Sequence, residues 1–288
     1  MRNMNADNVT QVVLDSYAGV TDERLKEILG ELIPRLHEFI RAVKLTPAEW
    51  KTAMDFLQVA GKVTSDQRNE FILLSDLLGV SAVVDLVDGG NDDGATMGTL
   101  LGPFYVPGQP DLPSGSDLIR DNPGERVVVQ GQVRSVNGKP IPGARLEIWQ
   151  NSPIGLYTMQ DPNQPDDNLR CTLHADATGP YNFSTVKPVS YRVRDDAAGG
   201  RLTRAAGRDT WRPAHIHFMV SAPGHKRLIT QIFDEADPHV DADTVFGVRA
   251  ELVKPFDRTP TEAERSRYAH IQSPCQMIDM DFVLAAKP

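Results

Sequence analysis

Cysteine is scarce: the 288 residues contain two, Cys171 and Cys275, with no CxxC spacing. That excludes a disulfide scaffold and a paired-thiolate zinc site, and predicts two reduced thiols in a cytoplasmic protein. Long apolar runs are missing too. The longest stretches fall far short of a membrane span. The N-terminal MRNMNADNVT has no apolar h-region, so no secretory signal is expected. Positive charge is in short supply, with 30 Lys+Arg against 39 Asp+Glu, a net charge of −9 and a pI of about 5.3. General binding to a phosphate backbone is therefore disfavoured. GxxxxGKS/T, GxGxxG, GxSxG and HExxH are all absent. Nucleotide hydrolysis, Rossmann redox chemistry, serine hydrolysis and zincin chemistry lose their usual support. What is present is an ordinary globular composition, 40% hydrophobic and 24% charged. The length fits one to two domains with a sizeable core and no need of a staple.

The first ~90 residues have a helical period. Leu25, Ile28, Leu29, Leu32, Ile33, Leu36, Phe39, Ile40 and Val43 recur at spacings of three and four. Thr21, followed by Asp22 and Glu23, suits an N-cap with acidic first-turn residues. Pro34 inside the run predicts a kink or a break. Thr46-Pro47-Ala48-Glu49 reads as a capping box with proline in the first helical position. A third helix is expected from about Thr64, carrying Phe71, Leu74, Leu78 and Val83, with Asp76 on a solvated face. Gly89–Gly94 then breaks the pattern.

After residue ~100 the period changes to two. Candidate strands are 126–133, 144–150, 173–175, 181–186, 214–220, 228–233, 249–253 and 278–284. Short strands separated by Pro- and Gly-rich turns suggest an antiparallel sandwich or barrel. Helices first and strands afterwards make the fold class α+β.

In Trp211-Arg212-Pro213-Ala214-His215-Ile216-His217-Phe218, a strand puts His215 and His217 on one face and Ile216 and Phe218 on the other. Two such imidazoles could share a metal or serve structural roles, and HxH alone leaves both open. No carboxylate stands at HxD or HxE spacing. The nearby candidates are Tyr157 and Tyr191, each of which, taken alone, reads as a core tyrosine. A phenol ionises near pH 10, so a phenolate ligand at neutral pH needs a strong Lewis acid, and Fe(III) suits it better than Zn(II) or Fe(II).

With these residues the chain resembles the intradiol aromatic-ring dioxygenases. The matching pieces are WQNSPIGLY (149–157), LHADATGPY (173–181), VKPVSY (186–191), WRPAHIHFMVSAPGH (211–225) and ITQIF (229–233). NEFILLSDLLGVS (69–81), LLGPFY (100–105) and DADTVFGV (241–248) are similar to the hydroxyquinol and catechol 1,2-dioxygenase branch. The resemblance lapses over the first ~20 residues and over 195–210.

The resemblance implies one Fe(III) per chain, held by Tyr157, Tyr191, His215 and His217. Arg212, Tyr191 and Gln231 would take part in catalysis. Leu73, Asp76, Gly102, Pro103, Phe104 and Val245 would line the substrate pocket. It implies a helical N-terminal dimerisation domain and linker over 1–100 and an antiparallel β-sandwich catalytic domain over 101–288. The expected assembly is a homodimer, with a phospholipid between the helices, no nucleic acid and no membrane insertion. The implied reaction is O2-dependent cleavage of hydroxyquinol to 3-hydroxy-cis,cis-muconate (maleylacetate). Catechol or chlorocatechol cleavage to cis,cis-muconates is the alternative. Two readings outside that class are an iron-free β-sandwich binding protein and a Zn or Fe(II) hydrolase. His174, where the family commonly has a basic residue, and Val193-Arg194 after Tyr191 depart from the pattern and bear on the substrate.

Overall fold

The computed structural model describes residues 2–65, 68–89, 94–120, 122–271 and 275–287. Residues 90–93, in the expected glycine-rich break, lie outside the described residues. Two compact units are present, residues 1–58 and 59–288.

The first unit holds α1 (Val9–Ser16), α2 (Glu23–Val43) and most of α3 (Pro47–Val63). Asp22 rather than Thr21 caps α2, its side chain accepting from Leu25 N at 3.0 Å. Pro34 does not break α2, which runs its full 21 residues. A proline forfeits one bond, here to the carbonyl of Gly30, and that residue is exposed to water. The capping box at α3 forms: Thr46 N donates to Glu49 Oε2 at 2.8 Å and Glu49 N donates to Thr46 Oγ1 at 3.3 Å. Leu25, Ile28, Leu32, Leu36, Phe39 and Val43 are all exposed, so the apolar seam of α2 is uncovered in the chain.

In the second unit the expected third helix is two. α4 (Glu70–Leu77) starts at Asn69, whose side chain accepts from Phe71 N and Ile72 N, and α5 (Val80–Gly89) follows. Gly79 separates them with φ +73°, a conformation that a side chain resists and that ends a helix. Asp76 is not on a solvated face. It is 3% exposed, on the side of α4 that is buried with Leu73 and Leu77.

The strands are β1 (Arg126–Ser135), β2 (Arg145–Gln150), β3 (Arg170–His174), β4 (Pro180–Val186), β5 (Tyr191–Arg192), β6 (Trp211–Arg212), β7 (His215–Ser221), β8 (Leu228–Asp234), β9 (Val253–Lys254), β10 (Cys275–Asp279) and β11 (Phe282–Leu284). α6 (Ala198–Ala205) lies between β5 and β6, and α7 (Glu262–Arg267) between β9 and β10. One sheet places β1 between β4 and the successive strands β10 and β11; the second runs β3-β2-β7-β8-β9; β5 and β6 make a third. Residues 250–252, expected within a strand, form a 3-10 turn, and the expected strand 278–284 is divided at Met280-Asp281.

The sheets are mixed rather than antiparallel throughout. β4 pairs β1, β3 and β7 flank β2, and β8 pairs β7, all in antiparallel fashion, but β10 and β11 run parallel to β1 and β9 runs parallel to β8. Hairpins force antiparallel neighbours. These three strands return after long connections, which remove that constraint.

Val127, Val129, Tyr181 and Phe183 of the first sheet share one core with Leu146, Ile148, Ile216, Phe218 and Val220 of the second. Each fully buried side chain of this size contributes about 1.5–3 kcal/mol. The period of two does the rest. With Ile216, Phe218 and Val220 committed to that core, His215, His217 and Met219 face the other side of β7. There Trp149, Tyr157, Tyr191 and Met219 form a second apolar cluster under Leu101, Phe104 and Tyr105. Both faces of β7 are thus buried.

Candidate active site

Four chain segments converge on this second face. β7 supplies His215 and His217. The loop after β2 supplies Tyr157, β5 supplies Tyr191, and β6 supplies Arg212. Trp149, paired in register with His217, stacks on its ring at 4.7 Å and 11°, and Phe104 stacks on Tyr157 at 4.3 Å.

Tyr157 Oη lies 3.2 Å from both His215 Nε2 and His217 Nε2, which are 3.1 Å from each other. His215 Nδ1–H donates to the Pro213 carbonyl at 2.7 Å, so its Nε2 presents a lone pair to this triangle. Donors each about 2.0–2.1 Å from a shared ion stand about 2.9–3.4 Å apart, so the spacing fits a bound cation. The ring Nδ1 of His217 has no hydrogen-bond partner among the described residues. Burial, reinforced by the charge of Arg212, holds both imidazoles well below the usual histidine range, and they are neutral, as ligands must be. Burial pushes the phenols of Tyr157 and Tyr191 above their ordinary value. A phenolate here therefore needs a strong positive centre beside it, which a hard trivalent metal supplies. The donor set fits Fe(III).

Arg212 is 3% exposed. Its Nε and Nη2 donate to Asp243 at 3.1 and 3.2 Å and its Nη2 also to Gln231 Oε1 at 2.8 Å, while its Nη1 stands 3.1 Å from His215 Nε2. Burial opposes the charge, but Asp243 together with Tyr191 and Tyr157 outweighs it and the guanidinium stays ionised. Gln231 is in turn fixed by donating to the Leu100 carbonyl at 2.5 Å. Gly247 allows this packing: a Cβ there would come within 3.0 Å of both Arg212 Nη2 and Asp243 Oδ2.

Beside Arg212 is a cavity lined by Leu73, Asp76, Pro103, Phe104, Tyr191 and Val245, with Arg68, Val193 and Arg194 also on its wall. Gly102 lies next to it, against the His217 ring; a Cβ would stand 3.4 Å from Cε1. Burial pushes the Asp76 carboxyl up from 3.8 to about 6, although a hydrogen bond from Ser81 and the charge of Arg212 pull the other way. Arg194 is paired to Asp196 at 3.5 Å. His174 stands at the surface beside Asp111.

The sequence reading passed over two residues of this site. Asp243 lies within the DADTVFGV run and Trp149 within WQNSPIGLY, but no spacing rule marks either. Arg208, outside the cavity, donates to the Leu77 and Thr244 carbonyls and lies where the resemblance lapses.

A family model described as dioxygenase matches residues 101–285, and one described as catechol dioxygenase N terminus matches residues 22–96. The chain belongs to the intradiol ring-cleavage dioxygenases. Among relatives of this dioxygenase is the hydroxyquinol 1,2-dioxygenase of Nocardioides simplex, 40% identical over 280 residues, 96% of this chain and 94% of that one. The hydroxyquinol 1,2-dioxygenase of Rhizobium sp. (strain MTP-10005) is 39% identical over 92% of this chain and 90% of its own. The solved hydroxyquinol 1,2-dioxygenase from Pseudomonas putida DLL-E4 superposes with a TM-score of 0.87 at 36% identity, covering 98% of this chain and 99% of that one. The Acinetobacter radioresistens catechol 1,2 dioxygenase gives the same TM-score at 28% identity, covering 100% and 95%. The backbone thus does not separate the two substrates; side chains in the cavity must.

Proposed function

We propose that this dioxygenase cleaves hydroxyquinol between its two adjacent hydroxyl-bearing carbons. Both atoms of O2 enter the product, 3-hydroxy-cis,cis-muconate (maleylacetate). The observation that carries the choice of substrate is the buried carboxyl of Asp76 on the cavity wall. A third ring hydroxyl would donate to it, whereas catechol would face it with a C–H edge and leave it desolvated without compensation. The hydroxyquinol dioxygenases among the relatives support the same substrate.

One Fe(III) per chain would be held by Tyr157, Tyr191, His215 and His217; when bound it supplies Lewis acidity and makes the diol reactive towards O2. Tyr191 Oη is the group suited to take up a diol proton, since it borders the cavity. Arg212, fixed by Asp243 and Gln231, provides a permanent positive charge for the negative charge that builds on the ring and then at the new carbonyl oxygens. Leu73, Gly102, Pro103, Phe104 and Val245 shape an apolar slot that excludes water around the ring.

The division into a helical domain over 1–100 and a catalytic β-sandwich over 101–288 belongs to the same proposal, as does a homodimer formed through the helices. The exposed seam of α2 supports the homodimer. A phospholipid between the helices would suit such apolar surface. The described residues include no helix long and apolar enough to cross a membrane, and we propose a cytoplasmic enzyme.

Oxygen uptake with hydroxyquinol, catechol and chlorocatechols, alongside iron analysis, tests the reading. We expect about one iron per chain and a kcat/KM for hydroxyquinol at least ~10-fold above that for catechol. Equal use of catechol would move the assignment to catechol 1,2-dioxygenase. A colourless protein with stoichiometric zinc would overturn the iron site.

A further inference from the structure

Asp76 can select a triol only if its wall is held at a fixed distance from the rest of the cavity. α4, which carries it, is a short helix followed by a glycine break, and its last carbonyls have no partner within the helix. One of them, Leu77 O, accepts from Arg208 Nη1 at 2.7 Å. The other end of the same guanidinium, Nη2, donates to Thr244 O at 2.6 Å. Leu77 is the residue after Asp76, and Thr244 lies between Asp243, which holds Arg212, and Val245, which lines the cavity. The guanidinium also sits over the Phe246 ring at 4.8 Å. Phe246 has φ +61°, an uncommon conformation for a bulky residue, and its ring lies against Gly79 at the foot of α4. Arg208 thus joins the acidic wall to the loop that anchors the catalytic arginine.

We infer that Arg208 is a positioning residue that sets the preference for a triol over a diol by fixing Asp76 relative to Arg212. The inference rests on the reading of Asp76 given above. Arg208 touches neither the four proposed iron ligands nor the cavity. A planar fork suits the task, because two carbonyls on different segments must be held at once, whereas a lysine ammonium presents one point charge.

The test compares wild type, Arg208→Met, Arg208→Lys, Asp76→Ala and the Asp76→Ala/Arg208→Met pair. Each is checked for iron per chain and thermal midpoint, with kcat and KM for hydroxyquinol and for catechol. Arg208→Met is expected to lower the hydroxyquinol-to-catechol ratio of kcat/KM by about tenfold, mostly through KM for hydroxyquinol. Iron content and kcat for catechol should stay within about twofold, and Arg208→Lys should restore part of the ratio. In the Asp76→Ala background, removing Arg208 should leave the ratio unmoved. A ratio that falls equally with and without Asp76, or two substrates weakened alike, would overturn the inference, because a general structural role predicts those results. If Arg208→Met does not fold, an unchanged ratio in Arg208→Lys overturns the inference and a reduced one supports it. A wild type that uses catechol as well as hydroxyquinol would sink the Asp76 reading itself. A collapsed ratio in Asp76→Ala beside an intact one in Arg208→Met would sink the role of Arg208 alone.

Discussion

Replacing Asp76 with asparagine should make the protein more stable and a poorer enzyme for its triol. The carboxyl titrates at about 6 in the folded chain against an ordinary 3.8, with burial as the main cause. Each pKa unit is worth about 1.4 kcal/mol, so the ionised group costs the fold about 3 kcal/mol. The folded pKa is raised, so stability is greatest below about pH 4, where the group is neutral in both states. It is lost as the pH rises through about 6, and the full cost persists above that. Asparagine keeps the shape, can still accept the hydrogen bond from Ser81 and carries no charge. Asp76→Asn should therefore exceed wild type by about 2–3 kcal/mol at about pH 8, a rise in Tm of several degrees for a chain of this size. Near pH 4.5 the gap should shrink to about 1 kcal/mol, because the carboxyl is already mostly ionised in the unfolded chain but not in the folded one. Denaturant titrations at both pH values measure the gap. Meanwhile kcat/KM for hydroxyquinol should fall about tenfold, since a charged acceptor for its third hydroxyl is gone. A variant no more stable than wild type at about pH 8, or one more stable by the same amount at both, would refute the reasoning.

Tyr157→Phe or His217→Ala should remove most of the iron and the visible phenolate-to-metal band, read by metal analysis and absorption; full iron in either variant would count against the ligand set. Arg212→Met should lower kcat by on the order of a hundredfold with a much smaller rise in KM, as expected for a charge that acts on the transition state; a normal kcat with only a raised KM would make Arg212 a substrate-binding group. Light scattering of the full chain should give a dimer, and Phe39→Glu on the exposed seam of α2 should shift it towards monomer; a wild-type monomer would remove the homodimer from the proposal.

The pattern of residues carried the architecture furthest where one physical rule dominated. Alternation in β7 separated His215 and His217 from Ile216 and Phe218, because both faces of that strand are buried against different partners. The seam of α2 was equally plain, but its N-cap shifted by one residue, since Thr21 and Asp22 are both good caps and spacing does not rank them. Helices α4 and α5 merged in the sequence reading because the apolar period continues across Gly79, where only the backbone conformation reveals the break. For a related reason Asp76, by its helical period alone, could equally sit on a solvated face, and only the resemblance put it on the pocket wall. A single charge in an apolar run says nothing about what the rest of the chain folds over it. Parallel pairing of β10 and β11 with β1 is decided by partners about 150 residues apart, beyond the reach of any local signal. Asp243 and Arg208 were missed because their work is to hold other side chains and carbonyls, which leaves no period and no motif.

The placement of His215 and His217 inside the sheet has a dynamic consequence. β7 is hydrogen-bonded along both edges, to β2 and to β8. Its amides can exchange with solvent only when the sheet itself opens, an event close to global unfolding. α4 is a single short helix held by one buried face and by Arg208, so its opening disrupts fewer contacts than the opening of the sheet. Deuterium should therefore enter residues 70–77 orders of magnitude faster than residues 215–218. The wall that meets the substrate should open transiently more often than the sheet that carries the imidazole pair behind it.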